Sequence, residues 1–289
     1  MHPLSTWLCT FFIAYFFSHR TFVDMPFIKS FSINTDKQNP FPFNIPAVRF
    51  AKQVKLDARV TIFVGDNGSG KSTLLESIAL YLKLPLIGGH ISSSASFEAA
   101  RLIKPFMEVE WKRETNKGFF FRAEDFSDFI NGVEKEKNKI AGELGELRGK
   151  VKDSIIEELS TSETMNHTLR QMRRNYGEDM QAFSHGEAYL KIIQTRIQDK
   201  GIYLLDEPEA ALSPLKQLSL IAFILDVLKK DSAQFIIASH SPILLGIPGA
   251  MLYEIQEDSM QQVNYKETDH YRITKTFLDN PEYYLRHLQ

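Results

Sequence analysis

The chain has 289 residues, 43% of them hydrophobic, and a formal charge of −2. That length suits one large α/β domain or two small ones, and the hydrophobic content excludes global disorder. The near-neutral balance excludes a dominant electrostatic grip on nucleic acid, though not a local basic patch. The single cysteine, Cys9, excludes an internal disulfide framework and fits the reducing cytoplasm.

Trp7 to Phe17 is strongly apolar. It falls short of the ~20 residues that span a membrane. It has no Lys or Arg before it and no small-residue cleavage site after it. No membrane span is expected. Residues 1–24 are expected to lie outside the working fold, as a mis-called upstream start would produce. Residues 25–289 are expected to form one domain. Phe27–Ile33 reads as its first strand. The prolines of Phe41–Pro46 argue against a central strand there. Ala47–Leu56 is expected as a second strand. Val60–Val64 reads as a buried strand and Thr73–Leu82 as a helix. Leu84–Ser96 reads as loop. Phe106–Trp111 alternates as a strand, and Lys117–Arg122 is expected as its hairpin partner.

A helical insertion is expected over about 123–180. Between Lys112 and Met180 there are 13 Lys and Arg against 14 Asp and Glu, the pattern of a solvated helical segment with internal ion pairs. Arg170, Arg173 and Arg174 share one helical face and form its best basic spot for a docking partner. Beyond the insertion, Ala188–Gln198 reads as helix, Gly201–Asp206 as strand and Leu215–Lys229 as an amphipathic helix. Gln234–His240, Met251–Ile255 and Gln262–Lys266 read as strands. Asn280 and Pro281 suit the N-cap and first position of a last short helix.

Gly65-Asp66-Asn67-Gly68-Ser69-Gly70-Lys71-Ser72 fits G-x-x-x-x-G-K-[ST] between a strand and a helix, the context a phosphate-binding P-loop requires. Glycines let successive N–H groups turn inward, and the helix N-terminus adds its partial positive charge. Lys71 can reach the β- and γ-phosphates of ATP and Ser72 can ligate Mg²⁺, with the amides from Asn67 to Thr73 around the phosphates. Gly201-Ile202-Tyr203-Leu204-Leu205-Asp206-Glu207 is an apolar strand ending in two carboxylates. Asp206 is placed to hold Mg²⁺, and Glu207 to orient or deprotonate the attacking water.

Phe183-Ser184-His185-Gly186-Glu187 opens a helix shortly before that acidic strand. Ser184 and Glu187 also satisfy the capping-box spacing; a helix N-terminus is itself an anion site, so the two readings agree. With these residues the chain resembles the ABC-type ATPases, whose signature is a Ser-x-Gly element at a helix start. The resemblance implies that Ser184 and Gly186 complete the active site of an opposite subunit. It also implies that His240, at the end of the strand after the acidic one, contacts the γ-phosphate. More narrowly, the chain resembles the stand-alone AAA-family ATPases within the ABC-type clade, beside the RecF and SMC types. The matching stretches cover most of residues 25–289, with Asp206-Glu207-Pro208-Glu209-Ala210-Ala211-Leu212 the most specific. Two departures stand out. Ser213 replaces the D-loop aspartate, and no glutamine between Thr73 and Gln171 supplies a Q-loop. The second argues against coupling to a membrane transporter.

The expected fold is therefore an α/β P-loop NTPase with an ABC-type mixed sheet and a helical insertion. The expected function is Mg²⁺-dependent ATP binding and hydrolysis, with ATP-driven head-to-tail homodimerisation that switches an unknown protein partner. Two alternatives stay open: a RecF- or SMC-like DNA-repair ATPase, and a nucleotide-binding regulatory module without turnover. Glu207 weighs against the second.

Overall fold

The computed structural model describes residues 26–34, 40–87, 97–126, single positions between 130 and 143, and residues 185–197, 200–230 and 233–286. The extension 1–24, most of the expected insertion with Arg170, Arg173 and Arg174, and Ser184 lie outside the described residues.

Two sheets carry the described chain. The smaller is antiparallel, in the order β2 (Val54–Lys55), β1 (Ile28–Ile33), β5 (Met107–Trp111). The larger runs β10 (Met260–Val263), β9 (Met251–Ile255), β3 (Val60–Gly65), β8 (Ala233–Ala238), β7 (Gly201–Asp206), β6 (Gly118–Arg122), β4 (Leu86–Ile87). All its neighbours pair parallel except β10, which runs antiparallel at one edge. Its centre is buried on both faces, which is why the sequence there reads as unbroken apolar runs. Period-two alternation then splits each run between two cores. Ile62, Tyr203, Leu205, Phe235 and Ile237 face one core. That core is closed by α4 (His185–Arg196) and α5 (Pro214–Lys229). Phe63, Ile202, Leu204, Ile236 and Ala238 face the other, closed by α2 (Lys71–Leu82) and the small sheet.

Two expectations are corrected. Lys117–Arg122 does form a strand, but β6 does not pair with β5. It lies between β4 and β7 in the large sheet, while β5 pairs with β1. The three consecutive phenylalanines explain this. Phe119, Phe120 and Phe121 are 5%, 0% and 0% exposed, with Phe120 in one core and its neighbours in the other. Each buried side chain of this size contributes about 1.5–3 kcal/mol, against about 0.2–1 kcal/mol for a cross-strand pair. A half-exposed hairpin forfeits one face. Gly118 permits the close approach to β7, since a Cβ there would lie 1.8 Å from the Ile202 carbonyl oxygen. Likewise Ala47–Leu56 is not one strand. Pro46 opens a short helix, α1 (Pro46–Arg49), and only Val54–Lys55 is extended.

The C-terminal region holds α6 (Pro242–Leu245), α7 (Asp269–Asp279) and α8 (Pro281–Leu285). As expected, the Asn280 side chain accepts the Tyr283 N–H and Pro281 takes the first helical position.

Candidate active site

Strands β3, β7 and β8 are adjacent and parallel, so their C-terminal ends share one edge of the sheet. That edge is the expected ligand crevice of an open α/β sheet. From β3 the chain turns through Asp66, Asn67 and Gly68, all exposed, into α2. Gly70 is the N-cap, with φ 92°, and a Cβ there would lie 2.1 Å from Ile45 Cγ2. Only glycine combines that backbone with that approach. The Ala47 amide donates to the Ser69 carbonyl at 2.9 Å, so α1 buttresses the loop. The N-terminus of α2 has no side-chain cap and no acid in its first turn. Its first amides, including those of Ser72 and Thr73, therefore have no intrahelical acceptor and face an anion-attracting field.

Lys71 is 4% exposed, and its Nζ donates to the carbonyls of Gly65 at 2.8 Å and Asp66 at 3.0 Å. Burial lowers its pKa, opposed by Glu207, Asp206, Asp66 and Glu209. The ammonium is thus arched over the loop amid carboxylates.

Asp206, at the end of β7, is 5% exposed. Its carboxylate accepts a hydrogen bond from the Ser72 side chain, and its Oδ1 has no partner. An orphaned buried carboxylate oxygen beside a hydroxyl is a hard-oxygen donor set that fits Mg²⁺. Among the described residues no cluster of three or more His, Cys, Asp or Glu could hold a metal. A cation here would draw its other ligands from water and phosphate, as Mg²⁺ does.

Glu207 follows in the left-handed region, with φ 48°. For a residue with a Cβ this costs about 1–2 kcal/mol, a strain typical of functional sites. Its amide donates to the Ala238 carbonyl at 2.9 Å, which fixes the strained turn against β8. His240 Nε2 lies 3.2 Å from Glu207 Oε1, an ion-pair distance without hydrogen-bond alignment. Burial and then Lys71 lower the His240 pKa, with Glu207 opposing them.

A family model described as "ABC transporter" matches residues 53–210, more than half of the chain. The chain belongs to this family. It is an ABC-type P-loop ATPase domain, and its mixed sheet is the fold of that class. Solved structures similar to it include a putative metal-chelate type ABC transporter in an inward-facing conformation, at 15% identity over 86% of this chain and 88% of that one, TM-score 0.45. Another is the Pyrococcus furiosus Smc head domain with an extended coiled coil bound to the C-terminal domain of ScpA, at 13% identity over 89% and 100%, TM-score 0.43. A third is a nucleotide-free ATP-binding cassette from an ABC transporter, at 16% identity over 80% and 88%, TM-score 0.40. No curated protein matches.

In this ABC-type domain the structure brings Gly65–Thr73, Asp206, Glu207 and His240 to one sheet edge. Gly186 is the second residue of α4, and Ser184 lies outside the described residues.

Three further residues shape the site. Glu209 Oε1 accepts from Ser239 Oγ at 2.8 Å and from the amides of His240 at 2.5 Å and Ser241 at 3.1 Å. One buried carboxylate oxygen thereby clamps the turn that carries His240. Gln217 extends the clamp, accepting from Ser241 Oγ at 2.5 Å and donating to the Leu212 carbonyl at 3.0 Å. The sequence gives no local signal for Glu209, because its partners lie about 30 residues away. The third is His270, whose Nε2 lies 3.2 Å from His240 Nδ1.

Proposed function

We propose that this protein binds Mg²⁺–ATP at the P-loop and hydrolyses it. The observation that carries the reading is the meeting of a buried lysine, a Ser–Asp pair with an orphaned oxygen, a strained glutamate and a histidine at the ends of β3, β7 and β8. Lys71 leaves its loop carbonyls for the β- and γ-phosphates. The amides from Asn67 to Thr73 take the remaining phosphate oxygens. Ser72 and Asp206 would hold Mg²⁺, which supplies charge neutralisation across the β- and γ-phosphates. Glu207 orients the attacking water and accepts its proton, which fits its placement one residue beyond Asp206. His240 donates to the γ-phosphate. Catalysis rests on positioning and charge stabilisation rather than covalent chemistry.

A second copy of the chain supplies Ser184 and Gly186, so ATP drives head-to-tail dimerisation that switches a protein partner. Residues 25–289 act as the working ATPase domain, in the cytoplasm. Among the described residues no helix is long and apolar enough to cross a membrane. The test is Glu207→Gln. The amide keeps the size of the carboxylate but cannot accept a proton. The variant should retain ATP, release no phosphate above background, and accumulate as an ATP-bound dimer by light scattering. Wild-type turnover in the same variant, or no ATP retention, would refute the assignment.

A further inference from the structure

We infer that His270 is a positioning residue that holds His240 as the tautomer protonated on Nε2. The inference rests on the reading that His240 donates to the γ-phosphate, which only a protonated Nε2 can do. Neutral imidazole carries one ring proton, and which nitrogen holds it is set by the hydrogen bond the other makes.

Two arrangements of one proton between His240 Nδ1 and His270 Nε2 are possible. If His240 donates, its own Nε2 is bare and lies 3.2 Å from Glu207 Oε1, outside hydrogen-bond alignment. Two acceptors then oppose each other. If His270 donates, His240 carries its proton on Nε2, and a positive N–H dipole rather than a bare nitrogen sits 3.2 Å from that carboxylate oxygen. Glu207 therefore selects the second arrangement. Of the other groups acting on the ring, Lys71 and His270 disfavour the imidazolium, while Glu209 accepts the backbone amide of His240. The neutral donor form is the one these neighbours favour.

His270 is built to hold its place. It lies in the first turn of α7, whose N-cap Thr268 is 0% exposed and accepts the Tyr271 amide. The preceding Asp269 amide donates to Glu254 Oε1 at 2.9 Å, and Glu254 on β9 is 6% exposed. Tyr265 packs on Tyr271 at 4.6 Å between centroids and donates to the Pro242 carbonyl at 2.9 Å. The Glu209 clamp fixes the backbone of His240, leaving ring orientation to His270. The logic matches other sites where a partner on the far nitrogen sets the working tautomer.

The experiment uses full-length protein labelled with ¹⁵N at histidine. Ring-nitrogen resonances of His240, assigned by loss in His240→Gln, report which nitrogen carries the proton. Nucleotide-free wild type should show Nε2 protonated and Nδ1 bare. His270→Ala should reduce that bias to what Glu207 alone supports and lower kcat roughly tenfold or more with ATP affinity unchanged. His270→Gln places an amide donor near the lost Nε2 and should recover most of both. A wild-type Nδ1-protonated form, or a tautomer unmoved in His270→Ala, overturns the inference. The tautomer is read without nucleotide, so it still decides if wild type proves unable to hydrolyse ATP. That second failure would count against the proposed function alone.

Discussion

Asp206→Asn should make the nucleotide-free protein more stable at alkaline pH while removing its cation site. Burial pushes the Asp206 pKa from 3.8 up to about 7, despite the Ser72 hydrogen bond, and the Glu207 charge adds to the rise. A carboxylic acid whose pKa is raised on folding contributes fully below its unfolded pKa. That contribution is lost as pH rises through the folded value. A shift of about three units corresponds to about 4 kcal/mol. Asparagine removes the charge and can still accept from Ser72. One amide hydrogen left unpaired costs about 1 kcal/mol. The net gain is about 3 kcal/mol near pH 8, or about 6 °C or more in Tm at ~2 °C per kcal/mol. Thermal unfolding followed by circular dichroism, with a chelator and without nucleotide, reads this directly. The advantage should fall below about 1 kcal/mol near pH 5 and vanish or invert by about pH 4. Glu76, which burial pushes up to about 7, titrates in the same window; the Asp206 charge adds to its rise, so removing that charge relieves Glu76 and acts in the same direction. An asparagine variant that melts at or below wild type near pH 8 would refute the buried-carboxylate account.

Lys71→Ala should weaken ATP binding in calorimetry by at least tenfold, since a charge-assisted hydrogen bond to phosphate is worth ~1.5–3 kcal/mol. Unchanged affinity would show that the ammonium does not reach the nucleotide. Glu207→Gly should raise stability in chemical unfolding by about 1 kcal/mol, because glycine adopts φ 48° without strain, while abolishing turnover. A loss of stability would mean that side-chain contacts outweigh the backbone strain.

Much of the site was legible because its signals are local. The P-loop glycines, the apolar run into Asp206-Glu207 and the strand before His240 each announce their own geometry. The large sheet followed, since unbroken apolar runs are what strands buried on both faces require. Sequence neighbours misled where tertiary burial overrode local pairing, as when Phe119–Phe121 left Met107–Trp111 for an interior place in the other sheet. Pro46 turned Pro46–Arg49 helical, where apolar content alone suggested a strand. The second tier of the site was invisible for a different reason. The bonds of Glu209 to the His240 turn, and of His270 to His240, join positions about 30 residues apart, and no local pattern encodes such distances. Helix α7 carried a readable signal, with Thr268 as N-cap and Ile273 and Phe277 one turn apart, yet its side chains stay largely exposed, so no core pattern marked it.

The most direct test of the account mixes two inactive variants. Lys71→Ala disables the P-loop, and Ser184→Arg disables the element offered to the opposite subunit. In a head-to-tail dimer of one of each, one composite site keeps an intact P-loop and an intact Ser184. Equal mixing should restore about a quarter of wild-type turnover, since half of the dimers are mixed and each holds one working site of two. ATPase activity that stays at the level of the separate variants, with wild-type turnover per molecule independent of protein concentration, would contradict the shared site and leave each chain hydrolysing ATP alone.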